Sequence, residues 1–209
     1  SVLAFDAPSH GLSAVQPTSM FDFARALYQL LDEHSVDAIV AHSFGCVATI
    51  MALLQHTDMH IQRLVMIASP NRFEDRFRQI ETLFALSPGV ANSLREKIQA
   101  EAGLPIFDFA IADLGEQINV GDRLLLHDRD DKISLFEWSS AINDGWAQND
   151  NASTVLVPID GTGHNRILWD EAVITHVVEF LSAVQDQPKD GRAGPSIDSM
   201  DRYDSLLPV

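Results

Sequence analysis

Short apolar runs alternate along this chain with longer stretches whose apolar residues recur every third or fourth position. Short runs suit strands buried on both faces, and the longer periodic stretches suit helices that cross from one strand to the next. The alternation therefore predicts an α/β fold, a mostly parallel sheet flanked by helices. Val2–Phe5 reads as a strand that ends in the turn-rich run Asp6-Ala7-Pro8-Ser9-His10-Gly11. Ser19 is placed to cap a helix through about Glu33, with Phe23, Leu27, Leu30 and Leu31 at helical spacing. Asp37–Ala41 reads as a second strand, followed by a helix to about Leu54, and Arg63–Ala68 as a third strand. From about Asn71 to Asn119 the alternation stops. That stretch has helical character, with Phe73, Phe77, Ile80, Leu83 and Phe84 in one stripe and a second helix around Leu94 and Ile98. It resumes with a strand at Arg123–Leu126, a helix over about Leu135–Ala147, a strand at Thr154–Ile159 and a helix from about Asp170 to Val184. Residues 185–209, rich in Pro, Gly, Ser and Asp, read as a flexible tail.

Composition narrows the function classes. The chain has 209 residues, 46% of them hydrophobic, which is enough to bury a core. Thirty acidic residues against 14 basic ones give a formal net charge of −16. A nucleic-acid partner needs a basic face to neutralise phosphates, and docking on anionic lipid needs one too, so neither partner is expected. The one cysteine, Cys46, can form no internal disulfide. No apolar run is long enough to span a bilayer, and no signal peptide opens the chain, so the expected location is cytoplasmic. The start at Ser1 passes at once into strand-like sequence, and an N-terminal portion is expected to be missing.

The segment Ala38-Ile39-Val40-Ala41-His42-Ser43-Phe44-Gly45-Cys46-Val47-Ala48 carries the sharpest chemical signal. A β-branched strand enters a tight turn centred on Ser43, and a helix of small and apolar residues leaves it. Small residues two before and two after the serine follow the logic of a nucleophile elbow, with Ala41 where the first glycine of that pattern stands. The helix N-terminus after the serine favours developing negative charge. A serine is a poor nucleophile without a histidine base and an acid to orient it. The acid candidates lie in His127-Asp128-Arg129-Asp130-Asp131-Lys132-Ile133. Asp131 stands where the loop leaves the strand, whereas Asp128 and Asp130 read first as turn formers. The base candidate is His164 in Gly161-Thr162-Gly163-His164-Asn165, where the glycines suggest a mobile loop. His127 reads as a structural hydrogen-bonding partner, and His10 and His42 as residues that line the site. No spacing suggests a metal site, and no Gly-rich phosphate loop is present, so no cofactor is expected.

Serine, aspartate and histidine in that chain order resemble the α/β-hydrolase superfamily. The matching segments are Phe5-Asp6-Ala7-Pro8-Ser9-His10-Gly11-Leu12-Ser13, the turn at Ser43, His127–Ile133 and Gly163-His164. The resemblance implies Ser43 as nucleophile, Asp131 as orienting acid, His164 as base and the Phe44 N–H as an oxyanion donor. It implies a core over residues 1–70 and 120–184 and a helical cap inserted over 71–119; the Phe-rich insert, with Phe73, Phe77, Phe84, Phe107 and Phe109, suggests an apolar acyl or alcohol pocket, with His42 lining the site. It further implies a His-Gly pair and a sheet strand that this sequence does not contain, and a glycine where Ser9 stands. The expected activity is hydrolysis of a small-molecule carboxylic ester or thioester through an acyl-enzyme. The alternatives are a C–C, lactone or amide hydrolase, a haloperoxidase-like protein, or a non-catalytic binding module. A serine at the elbow argues against the epoxide hydrolases and dehalogenases of this fold, which use an aspartate there.

Overall fold

A computed structural model describes residues 1–102, 105–148 and 152–183; the expected tail, 185–209, lies outside the described residues. The first helix, α1 (Met20–Glu33), starts where the sequence caps it. Ser19 Oγ accepts the Asp22 N–H, and the Asp22 carboxylate accepts the Ser19 N–H, which satisfies two amides at the helix start. Strand β1 (Ala38–His42) leads into α2 (Phe44–Leu53), which is buried from Cys46 to Leu53 and is accordingly apolar all round. Strand β2 (Ile61–Ile67) is followed by α3 (Phe73–Leu83), α4 (Pro88–Ala102) and two 3-10 turns, Ile106–Asp108 and Ile111–Leu114. Then come β3 (Val120–Asp128), α5 (Phe136–Trp146), β4 (Thr154–Ile159), the short α6 (Gly163–Arg166) and α7 (Glu171–Ser182), the last capped by Asp170.

The strands form one parallel sheet in the order β1-β2-β3-β4, with Ala41 beside Met66, Val65 beside Leu124, and Leu126 beside Val157. Because side chains alternate across a strand, Leu64, Met66 and Leu125 enter one core with α1, α2 and α5. Val65, Ile67, Leu124 and Leu126 enter the other, against Ile167 and Val173. All four strands point the same way, so the turns after β1, β3 and β4 meet at one end of the sheet. Among the described residues no helix is long and apolar enough to cross a membrane.

Two expectations need correction. Val2–Phe5 forms no strand: Val2 and Leu3 are exposed, and Phe5 packs edge-on against Phe23 at 5.7 Å. A strand needs a neighbour's backbone as well as a suitable sequence, and no ladder reaches these residues. The apolar stripe of α3 also splits. Phe77 is buried and Phe73 packs on the core, but Leu83 and Phe84 are 77% and 66% exposed, because the helix end projects beyond the body.

The helical segment between β2 and β3 leaves and returns at one point. Asn71 accepts the Ile111 N–H on its carbonyl and the Ala112 N–H on its side chain, and Arg72 pairs with Ala110 in an antiparallel bridge. Trp146 Nε1 donates to the Ile111 carbonyl at 2.9 Å. Gly145 lets α5 approach closely here, since a Cβ on it would come within 2.5 Å of the Ala112 carbonyl oxygen.

Candidate active site

Ser43 occupies the turn between β1 and α2 with φ 53° and ψ −120°, a left-handed conformation rare for any residue but glycine. Its N–H donates to the Ile67 carbonyl at 2.9 Å, which ties the turn to β2. Its hydroxyl caps nothing in α2 and is free to face outward. At Gly45, an added Cβ would meet only the tip of Phe23 at 3.9 Å, so space alone does not demand glycine there. Ser9, where the resemblance expects glycine, likewise has a positive φ of 61°; its hydroxyl bonds both the N–H and the carbonyl of Gln16, which offsets the strain.

The three candidates at the strand ends are brought together. Ser43 Oγ lies 2.8 Å from His164 Nε2, and His164 Nδ1 lies 2.7 Å from Asp131 Oδ2. A carboxylate can only accept, so Nδ1 carries the proton and Nε2 is left bare to accept from the serine hydroxyl. His164 does not stand in an open loop but on the four-residue α6, after glycines at φ 76° and 67°.

Asp131 has a fully buried side chain, and burial opposes its charge. The hydrogen bond to His164, the N–H groups of Ile133 and Ser134 and the His127 ring nearby outweigh that penalty and hold its carboxyl well below the usual carboxylate range. The other two aspartates face elsewhere. Asp128 is also buried, yet the Thr162 hydroxyl and the N–H groups of Gly163, Asp130 and Thr162 hold its carboxyl low. It thereby ties the end of β3 to the start of α6. Asp130 is exposed and donates its own N–H to Asp128.

The neighbouring histidines have separate tasks. His127 is fully buried; its Nε2 donates to the Ser134 carbonyl at 2.8 Å and Nδ1 meets the Ser139 hydroxyl at 2.6 Å. Its Nε2 also sits 3.6 Å from Asp131 Oδ2. His42, expected to line the pocket, is not among the residues lining the cleft beside Ser43. It donates from Nε2 to the His164 carbonyl at 2.9 Å, and burial lowers its pKa, so a neutral ring lies beside His164. The signal missed in the sequence was the link from Asp128 to Thr162 and Gly163, which spans separate loops and leaves no local pattern. Burial pushes the Cys46 thiol up to about 12, which leaves it unreactive. Among the described residues no group of three His, Cys, Asp or Glu is placed to hold a metal ion.

A cleft of about 450 Å³ opens above Ser43. Phe44, half-exposed, forms part of its floor, and its N–H belongs to the first turn of α2, where amides have no partner within the helix. Phe73 and Phe77 of α3, Ile98 of α4 and Trp138 of α5 supply apolar walls.

The sequence profile of the alpha/beta hydrolase fold matches residues 1–167, and the chain belongs to that family. None of the curated proteins compared with it matches. Among solved structures, alpha/beta hydrolase domain-containing protein 10 from mouse is similar at a TM-score of 0.58 and 15% identity, over 87% of this chain and 76% of that one. Est1E from Butyrivibrio proteoclasticus, with ferulic acid bound, is similar at 0.57 and 17% identity, over 85% and 76%. A hydrolase from Pseudomonas aeruginosa PA01 is similar at 0.55 and 16% identity, over 84% and 77%. At these identities the likeness is one of fold.

Proposed function

We propose that this chain is a serine hydrolase that cleaves a small carboxylic ester or thioester through an acyl-enzyme. The observation that carries the reading is the unbroken run from Asp131 through His164 to Ser43, with bonds of 2.7 and 2.8 Å. His164 Nε2 takes the hydroxyl proton as Ser43 Oγ attacks the carbonyl carbon. Asp131 keeps Nδ1 protonated and stabilises the imidazolium that forms. The Phe44 N–H donates to the oxyanion of the tetrahedral intermediate. His164 then passes its proton to the departing alcohol or thiol, and water, activated by the same nitrogen, releases the acid. The scheme requires no cofactor. Residues 71–119 act as a cap on the core, since α3 and α4 supply cleft walls opposite Ser43.

Covalent labelling with a fluorophosphonate probe, read by intact mass and peptide mapping, tests the proposal. Modification at Ser43 is expected, together with loss of ester hydrolysis on the order of ten-thousand-fold in Ser43→Ala and His164→Ala. Folded protein that takes up no probe and cleaves no ester would overturn it.

A further inference from the structure

The cleft above Ser43 is lined mainly by apolar side chains, with three serines (Ser19, Ser43 and Ser134) and two charged side chains, Arg76 of α3 and Glu101 of α4. Arg76 is half-buried and shares the cleft-facing side of its helix with Phe73, Phe77 and Ile80, three before, one after and four after it. Glu101 is exposed at the rim, where solvent screens it.

The guanidinium is fixed but not neutralised. Nη1 donates to Gln79 Oε1 at 2.8 Å and to the Ile133 carbonyl at 3.2 Å. Ile133 in turn donates its N–H to Asp131 Oδ1, so the cation is fastened to the loop that carries the acid. Both acceptors of Arg76 are neutral. Among the described residues no carboxylate lies within ion-pair distance of it; Arg72, Arg123 and Arg166 also lack one, but of these four only Arg76 lines the cleft beside Ser43. Arg76 is thus a half-buried cation without an acidic partner in a mainly apolar cleft of a chain whose net charge is −16. Lining of this kind, mainly apolar with one half-buried cation, orients a ligand that is apolar along its length and anionic at one end. Nε and Nη2 present the planar edge that a carboxylate meets with two parallel hydrogen bonds.

We infer that the cleft takes an ester whose apolar chain ends in a carboxylate, and that Arg76 is the counter-ion that selects it. This rests on the proposed hydrolase reading for the ester bond, but the anion site stands or falls separately.

The test compares 4-nitrophenyl hydrogen adipate with 4-nitrophenyl hexanoate, which share chain length and differ in the terminal carboxylate. A third ester, 4-carboxyphenyl hexanoate, carries the charge on the alcohol side. The wild-type chain is expected to favour one of the anionic esters in kcat/KM, and whichever it favours identifies the end that meets Arg76. Arg76→Gln should lower the ratio of that ester to its neutral counterpart about tenfold or more, and Arg76→Lys should restore part of it. Binding of adipate and hexanoate by calorimetry gives the same comparison without turnover. Probe labelling at Ser43 with a ratio unmoved by Arg76→Gln overturns the anion site and leaves the hydrolase. Adipate binding that depends on Arg76 in a chain that takes up no probe does the reverse. If Arg76→Gln does not fold, ionic strength decides on the wild type: the anionic preference must fall as salt rises, and a preference indifferent to salt overturns the site.

Discussion

Asp131 carries its charge at a position closed to solvent, held there by donors on three sides. Its carboxyl ionises at lower pH in the folded chain than in the unfolded one, where an aspartate titrates near 3.9. The resulting stabilisation is complete above the unfolded value and is lost as pH falls through the folded one. Urea midpoints are therefore expected to drop between pH 6 and pH 3, and Asp131→Asn should flatten, without abolishing, that drop, because the Asp128 carboxyl is held low as well. A variant that loses as much stability on acidification as wild type would contradict the account. Ser43 was legible in the sequence because a strand, a tight turn and a helix follow one another within a dozen residues. The carboxylate that meets His164 was less so. Asp128, Asp130 and Asp131 share one turn, and the turn's backbone angles alone decide which carboxylate faces His164.

At the scale of elements, the same physics explains both success and failure. The boundaries of α1 and α7 follow from their caps, Ser19 and Asp170, which the sequence displays next to periodic apolar residues. The strand at Thr154–Ile159 falls where its β-branched run predicts. Val2–Phe5 failed because pairing is a property of two segments, and α6 was invisible because four residues carry no periodicity. What fixes α6 is Asp128, through Thr162 and Gly163. Asp128→Asn removes the charge from those bonds and loosens the element that presents the imidazole. On the hydrolase reading, kcat is expected to fall about tenfold with little change in KM, and probe labelling at Ser43 should slow in step. A KM change with an unaltered labelling rate would assign Asp128 to the cleft instead.

Across the whole molecule, the sheet gathers the site at one end, while the helices between β2 and β3 hang from a neck at Asn71–Arg72 and Ala110–Ala112. The sequence announced this segment by breaking the strand–helix alternation, but the meeting of its two ends depends on Trp146 and Gly145, far along the chain. Within the segment, Arg95 of α4 pairs with Glu74 and Glu81 of α3 and stacks over Phe77 at 4.6 Å and Phe107 at 4.4 Å. Each helix is therefore moored twice, once to its partner and once through the neck to the body. A protease site placed in the exposed turn at residues 84–87 offers a direct check. After the cut, the two fragments, still joined by the β2–β3 ladder, the core and the neck, should co-elute in native size exclusion and separate only in denaturant; fragments that part without denaturant would show these contacts together to be too weak. A cut in that turn would leave two polypeptides that still share the β2–β3 ladder and both cores, with the neck and Arg95 as further joins between them.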